Sequence, residues 1–179
     1  MTIRPIRYLG DPVLRRPAKR VRDVDDSIRR LIDDMSESMS HAQGVGLAAP
    51  QIGVGLRVVV LGMPDGEPFA LVNPQVTRRS GSRRLEGEGC LSVPGYRGPV
   101  TRSEKVTVKA LDGHGREIRI TAEGDLLAQA IEHEVDHVNG TLYVDRLDSI
   151  DDLTKLEGTG WVETEADSET DSETDQQAS

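Results

Sequence analysis

Apolar residues follow two periodicities along this chain, and the switches between them mark its elements. Over residues 25–41, Ile28, Leu31, Ile32, Met35 and Met39 recur three and four apart. That spacing predicts a helix with one buried face, and Asp25 or Asp26 can cap its start. Residues 57–62 (Arg-Val-Val-Val-Leu-Gly) predict a buried strand. Residues 69–77 predict another, and Pro74 within it marks a sheet edge or a bulge. Residues 78–87 are charged and contain glycine, which suits a loop or a strand edge. Residues 105–111 and 116–122 alternate cleanly and are joined by Asp112-Gly113-His114-Gly115, a hairpin with His114 at its tip. Helical spacing returns over 125–138, where Leu126, Leu127, Ala130, Ile131, Val135 and Val138 give cover broad enough for a deeply packed helix. Asp125 or Gly124 starts it, and Asn139-Gly140 ends it with glycine in the left-handed region. Residues 1–24, with Pro5, Pro12 and Pro17, read as an extended arm laid over the core. Residues 141–148 suggest a short extended piece and 151–158 a brief helical turn.

Length and composition narrow this picture. At 179 residues with 36% hydrophobic and 3% aromatic content, the chain suits one domain with a modest aliphatic core. No apolar run is long enough to span a bilayer, and Met-Thr-Ile-Arg-Pro-Ile-Arg lacks the apolar segment of a signal peptide, so a cytoplasmic protein is expected. The net charge is −9, but seven acids and no Lys or Arg fall within residues 161–179, leaving −2 for the rest. Nothing resembles a basic nucleic-acid footprint. From about residue 160 the chain is rich in Glu, Asp, Ser and Thr, with Asp-Ser-Glu-Thr at 167–170 and again at 171–174. Such a segment buries too little apolar surface to offset chain entropy, so an acidic disordered tail over 159–179 is expected after a domain at 1–158.

The candidate chemistry centres on Ile-Glu-His-Glu-Val-Asp-His-Val-Asn-Gly at 131–140. On a helix, His133 and His137 lie one turn apart on the same face, where two imidazoles can share a metal ion, and Glu134 can act on a water beside it. The competing reading is a surface helix carrying solvated acids and histidines. An ionisable motif inside a buried helix is costly without a compensating ion, which favours the metal. A catalytic site of this kind needs a third protein ligand. A third His six residues after His137 is missing, because that position is Tyr143. Glu157 is a formal candidate at the start of the acidic region, and Cys90, the single cysteine, is the stronger one. Cys90 could instead be a small buried hydrophobe or a nucleophile. Residues 43–53 (Gln-Gly-Val-Gly-Leu-Ala-Ala-Pro-Gln-Ile-Gly) superficially match a dinucleotide fingerprint. A helix precedes them and Pro50 follows, which excludes it. They read as a loop whose glycines let backbone approach a ligand, ending in Gln51, whose amide either donates to a developing oxyanion or faces solvent.

Three segments taken in order, Gly44-Val45-Gly46-Leu47-Ala48-Ala49-Pro50-Gln51-Ile52-Gly53, Glu88-Gly89-Cys90-Leu91-Ser92 and His133-Glu134-Val135-Asp136-His137, resemble the signature motifs of the peptide deformylase family. The likeness spans roughly residues 3–150 and includes Gly-Asp-Pro-Val-Leu at 10–14. It implies a compact α+β fold in which antiparallel sheets surround a helix bearing His-Glu-x-x-His. The implied activity is hydrolytic removal of the formyl group from the N-terminal formyl-methionine of new polypeptides, releasing formate. The implied ligands are Cys90, His133 and His137, holding a divalent ion that is commonly Fe(II), with Zn, Ni or Co able to take its place.

In that reading Glu134 is general base and then general acid, and Gln51 with the Leu91 backbone N–H stabilises the oxyanion. Substrate pairs along Gly46 in the manner of strand addition, and Val45 and Leu126 line the methionine pocket with Gln129 and Ala130 nearby. Glu88 and Arg102 form a supporting pair, unless they are simply exposed. The expected partners are formylated nascent peptides, without nucleic acid or membrane, and a monomer is expected. Some family members end in a basic helix suited to ribosomal RNA, whereas the acidic segment here would be repelled by phosphate. Two alternatives remain: a general metallopeptidase using His133, His137 and Glu157, and a metal-stabilised module without activity.

Overall fold

Why Val58–Leu61 should be apolar at every position is answered by what lies on each side of it. In the computed structural model, which describes residues 2–64 and 66–156, this strand (β2) is wholly buried. Successive strand side chains point to opposite faces. Val59 and Leu61 belong to one apolar cluster, and Val58 and Val60 to a second. The first cluster contains Ala128, Ala130, Ile131, Val135 and Val138 of a helix at Leu126–Val138 (α2). The second contains Ile28, Met35 and Met39 of a helix at Asp26–His41 (α1). The sheet is therefore sandwiched between two helices, and a continuous apolar run is what such a strand requires.

The sheet has five strands: β1 (Gly46–Ala48), β2, β3 (Phe69–Ser80), β6 (Lys105–Leu111) and β7 (Glu117–Glu123), in that spatial order and all antiparallel. A smaller antiparallel sheet holds β4 (Arg83–Cys90), β5 (Val93–Arg102) and β8 (Thr154–Lys155), in the order β4-β5-β8. Val93, Val100 and Tyr143 form its apolar underside. This is the α+β class. Both helices start where an aspartate caps them: the Asp25 carboxylate accepts from Ser27 and Ile28 N–H, and that of Asp125 accepts from Ala128 N–H at 2.8 Å.

Several expectations are refined. Residues 43–53 are not a plain loop, because Gly46–Ala48 pairs with β2 and Ala49–Ile52 is a 3₁₀ turn. Pro74 lies in a strand flanked by β2 and β6, and the ladder absorbs it by a register shift between Val72 and Gln75, so it marks a bulge and not an edge. Asn73 takes a positive φ there, and its side-chain amide exchanges two 2.9 Å hydrogen bonds with the Val21 backbone, latching the N-terminal arm. The charged residues 78–87 supply the end of β3 and most of β4. The extended piece expected after α2 is a 3₁₀ turn at Tyr143–Arg146. The acidic segment at 159–179 and Glu157 lie outside the described residues.

Candidate active site

α2 carries the central motif through the interior, with every residue from Ala130 to Val138 buried. The His133 and His137 rings meet edge to face, centroids 5.0 Å apart, as four-residue helical spacing dictates. Cys90 stands at the end of β4, and the tight turn into β5 brings its sulfur within 3.2 Å of His137 Nε2. Ligand atoms of Cys90, His133 and His137 all lie within 4.8 Å of one another. His133 Nδ1 meets Glu88 Oε1 at 2.6 Å, which leaves Nε2 as its free nitrogen.

Glu88 and Arg102 are fully buried, joined by Nε–Oε2 and Nη2–Oε1 contacts of 3.0 and 2.5 Å, so the exposed-pair alternative is excluded. Burial alone would raise the Glu88 carboxyl, but hydrogen bonds from His133 and Arg102 outweigh it and hold it at about 2. Burial also opposes a charge on His133, yet the Cys90 sulfur and Glu88 overcome this and lift it above its ordinary value. Burial and the neighbouring His133 push His137 well below its own. Burial raises Glu134 to about 7.

Gln51 is oriented by its own turn. Its Oε1 accepts from Ala48 N–H at 2.8 Å, so Nε2 must point the other way, toward Ser92 Oγ at 3.2 Å and Cys90 Sγ at 3.6 Å. Glu134 abuts β1 so closely that a Cβ on Gly46 would lie 2.5 Å from its Oε1. A cavity of about 280 Å³ opens here, lined by Gly46, Gln51, Cys90, Leu91, His133 and Glu134. Val45, Leu126, Gln129 and Ala130 line it too, so the residues that the family likeness singles out for substrate or catalysis line one cleft.

The donor chemistry suits a divalent cation. A thiol and two imidazoles converge, with the buried Glu134 carboxyl beside them in the same cavity. Glu134 Oε2 and His137 Nδ1 are buried and lack a hydrogen-bond partner among the described residues.

Residues that sequence reasoning overlooked also converge here. Ser92, fully buried, receives the Gln51 amide and donates its backbone N–H to Cys90 Sγ at 3.3 Å. Tyr143 stacks beside His133, centroids 6.3 Å apart. Asp136 holds Arg102 Nη1 at 2.6 Å. Their places inside the second and third motif segments were the available signal for Ser92 and Asp136; Tyr143 carried none.

An α+β frame that gathers a half-buried cysteine, two buried histidines and a buried carboxylate at the floor of a cleft defines a metal-dependent hydrolase. A family model described as polypeptide deformylase matches residues 3–152. A peptide deformylase of Dehalococcoides mccartyi is 51% identical over 157 residues, covering 87% of this chain and 93% of that protein. The crystal structure of a peptide deformylase from Legionella pneumophila superposes with a TM-score of 0.79 at 50% identity, covering 83% of this chain and 88% of the other. One from Synechococcus elongatus in complex with actinonin gives 0.77 at 45% identity, with 80% and 78% covered. The chain belongs to the polypeptide deformylase family, metallo-hydrolases that remove the N-formyl group from nascent polypeptides.

Proposed function

We propose that Cys90, His133 and His137 hold one divalent ion, that Glu134 is the acid–base group, and that Gln51 and the Leu91 N–H bind the oxyanion of formyl hydrolysis. The observation that carries this is the approach of the three ligand side chains to within 4.8 Å beside Glu134 on the floor of the cleft. When bound, the ion supplies Lewis acidity and lowers the pKa of water it binds. Fe(II) is the proposed native ion, and the Cys/His₂ set also suits Zn, Ni or Co.

Glu134 accepts a proton from the attacking water while the water oxygen bonds to the formyl carbon. The carbonyl oxygen becomes negative as that carbon turns tetrahedral, and the fixed Gln51 Nε2 donates to it. Glu134 then returns the proton to the amine nitrogen as the carbon–nitrogen bond breaks, leaving formate and a free N-terminus. β1 is an edge strand of its sheet, so its outer side can accept an antiparallel peptide at Gly46. Val45 and Leu126, both partly exposed at the mouth, meet the methionine side chain.

The substrates are formyl-methionyl nascent chains met near the ribosome, in the cytoplasm, by a monomer. No helix of the described residues is long and apolar enough to cross a membrane. Residues 1–158 form the catalytic domain in this reading, and the acidic 159–179 do not anchor to ribosomal RNA. Glu134→Gln tests the assignment: turnover of a formyl-Met peptide should fall by about 10²–10⁴ with metal content unchanged. Turnover at the parental level would remove Glu134 from the reaction.

A further inference from the structure

Glu132 and Asp136 lie four apart on α2, on the stripe beside His133 and His137. Asp136 is 5% exposed and holds two guanidinium groups. Its Oδ2 accepts from Arg102 Nη1 at 2.6 Å and from Arg146 Nε at 3.2 Å; its Oδ1 accepts from Arg146 Nη2 at 2.7 Å. Among the described residues Arg146 is the sole donor to Oδ1. Arg102 directs its remaining donors to Glu88, whose Oε1 meets His133 Nδ1. An unbroken chain thus runs from Arg146 to Asp136, Arg102, Glu88 and His133, and only its outer end is substantially exposed, Arg146 at 46%.

We propose that Arg146 is a positioning residue for His133, acting through Asp136, Arg102 and Glu88. This rests on reading Cys90, His133 and His137 as the ligand set.

Arg146 closes the chain because a buried carboxylate oxygen without a donor is costly. With Arg146 removed, Oδ1 has no partner, so Asp136 must turn toward Arg102 or admit water. Either shift moves the guanidinium that fixes both oxygens of Glu88, and with it the imidazole orientation that Glu88 sets. The same 3₁₀ turn, Tyr143–Arg146, also places Tyr143 beside the His133 ring. That turn is itself pinned, since the Asp145 carboxylate accepts from Leu142 N–H at 2.8 Å and pairs with Arg15. The short segment that follows α2 thus touches the His133 ring through Tyr143 and reaches its Nδ1 edge through Asp136, Arg102 and Glu88. An ordinary surface ion pair would contribute little and transmit nothing. The pair between Arg84 and Asp148, 3.1 Å and exposed on both sides, provides that comparison.

The test uses the full chain loaded with Co(II), with metal release into excess chelator followed by the loss of visible absorption. Losing a partner outside the ligand set typically weakens metal binding 10–100-fold, so Arg146→Met should release cobalt about tenfold faster than the parent. Arg146→Lys, which keeps one charged donor, should fall between the two, and Arg84→Met should match the parent. The metal-free Arg146→Met protein should also lose thermal stability, because Asp136 Oδ1 is left without a donor, so release is compared at a temperature well below every midpoint. Parental release from Arg146→Met, or equal release from the Lys and Met variants, overturns the proposal. Cys90→Ala separates the two readings. If it binds cobalt as the parent does, the ligand assignment fails. If it loses cobalt while Arg146→Met releases at the parental rate, the ligand set stands and only Arg146's role is lost.

Discussion

Gly46 is where a single missing atom decides the chemistry. Its φ does not require glycine, but a Cβ there would lie 2.5 Å from Glu134 Oε1 and 2.9 Å from Glu134 Cδ and Cγ. The carboxylate would have to move, because β1 is held to β2 by register and cannot. Gly46→Ala should therefore fold and still bind metal, yet turn over a formyl-Met peptide about 10²-fold more slowly, the scale of loss from misplacing a reacting group by 1 Å. Turnover equal to the parent's would show that Glu134 does not depend on this contact. Gln51 makes the same point in reverse, since one 2.8 Å bond from Ala48 N–H fixes which end of its amide faces the cleft.

Among the elements, the β6–β7 hairpin offers a clean electrostatic test away from the site. Asp112 sits at its tip and accepts from the Arg116 and His114 N–H groups at 2.9 and 2.8 Å, and from Arg116 Nε at 2.8 Å. The backbone bond from Arg116 is the leading cause that holds its carboxyl at about 2, against an ordinary 3.8. A carboxyl with a depressed folded pKa adds stability above its unfolded pKa and loses it as pH falls through the folded one. The turn should thus keep its geometry to about pH 4 and loosen between there and pH 2. Carbon NMR titration of the Asp112 carboxyl should give a midpoint near 2, and a midpoint near 3.8 would mean that these bonds are not made in solution. The smaller sheet serves the site directly, because the Cys90–Val93 register closes the turn that carries the sulfur to α2.

On the scale of the whole molecule, two helices and two sheets bring every proposed site group together within residues 2–156. The seven acids of residues 161–179 supply none of those groups. Deleting 161–179 should leave formyl-Met peptide turnover and metal content nearly unchanged; a large loss of either would show that the acidic segment supports the catalytic domain.

Local periodicity was enough to place α1, α2, β2 and the β6–β7 hairpin, because each is written in near-neighbour spacing and in its capping aspartates or turn residues. The His133/His137 pair was equally legible, since helix geometry alone puts residues four apart on one face. The ordered motifs pointed to Cys90 and Gln51, and the cleft brings both to the helix. What sequence spacing did not contain was contact between residues far apart in the chain. The strand at Gly46–Ala48 exists because β2 lies beside it, and three residues carry too little local preference to announce that. The bulge at Pro74 depends on Asn73 reaching back to Val21. The burial of Glu88 and Arg102, the turn of Ser92 toward Gln51, and the line from Arg146 to His133 all required the smaller sheet to close over α2. Periodicity in a chain encodes which face an element buries; only the packed fold decides which polar groups are buried together and must satisfy one another.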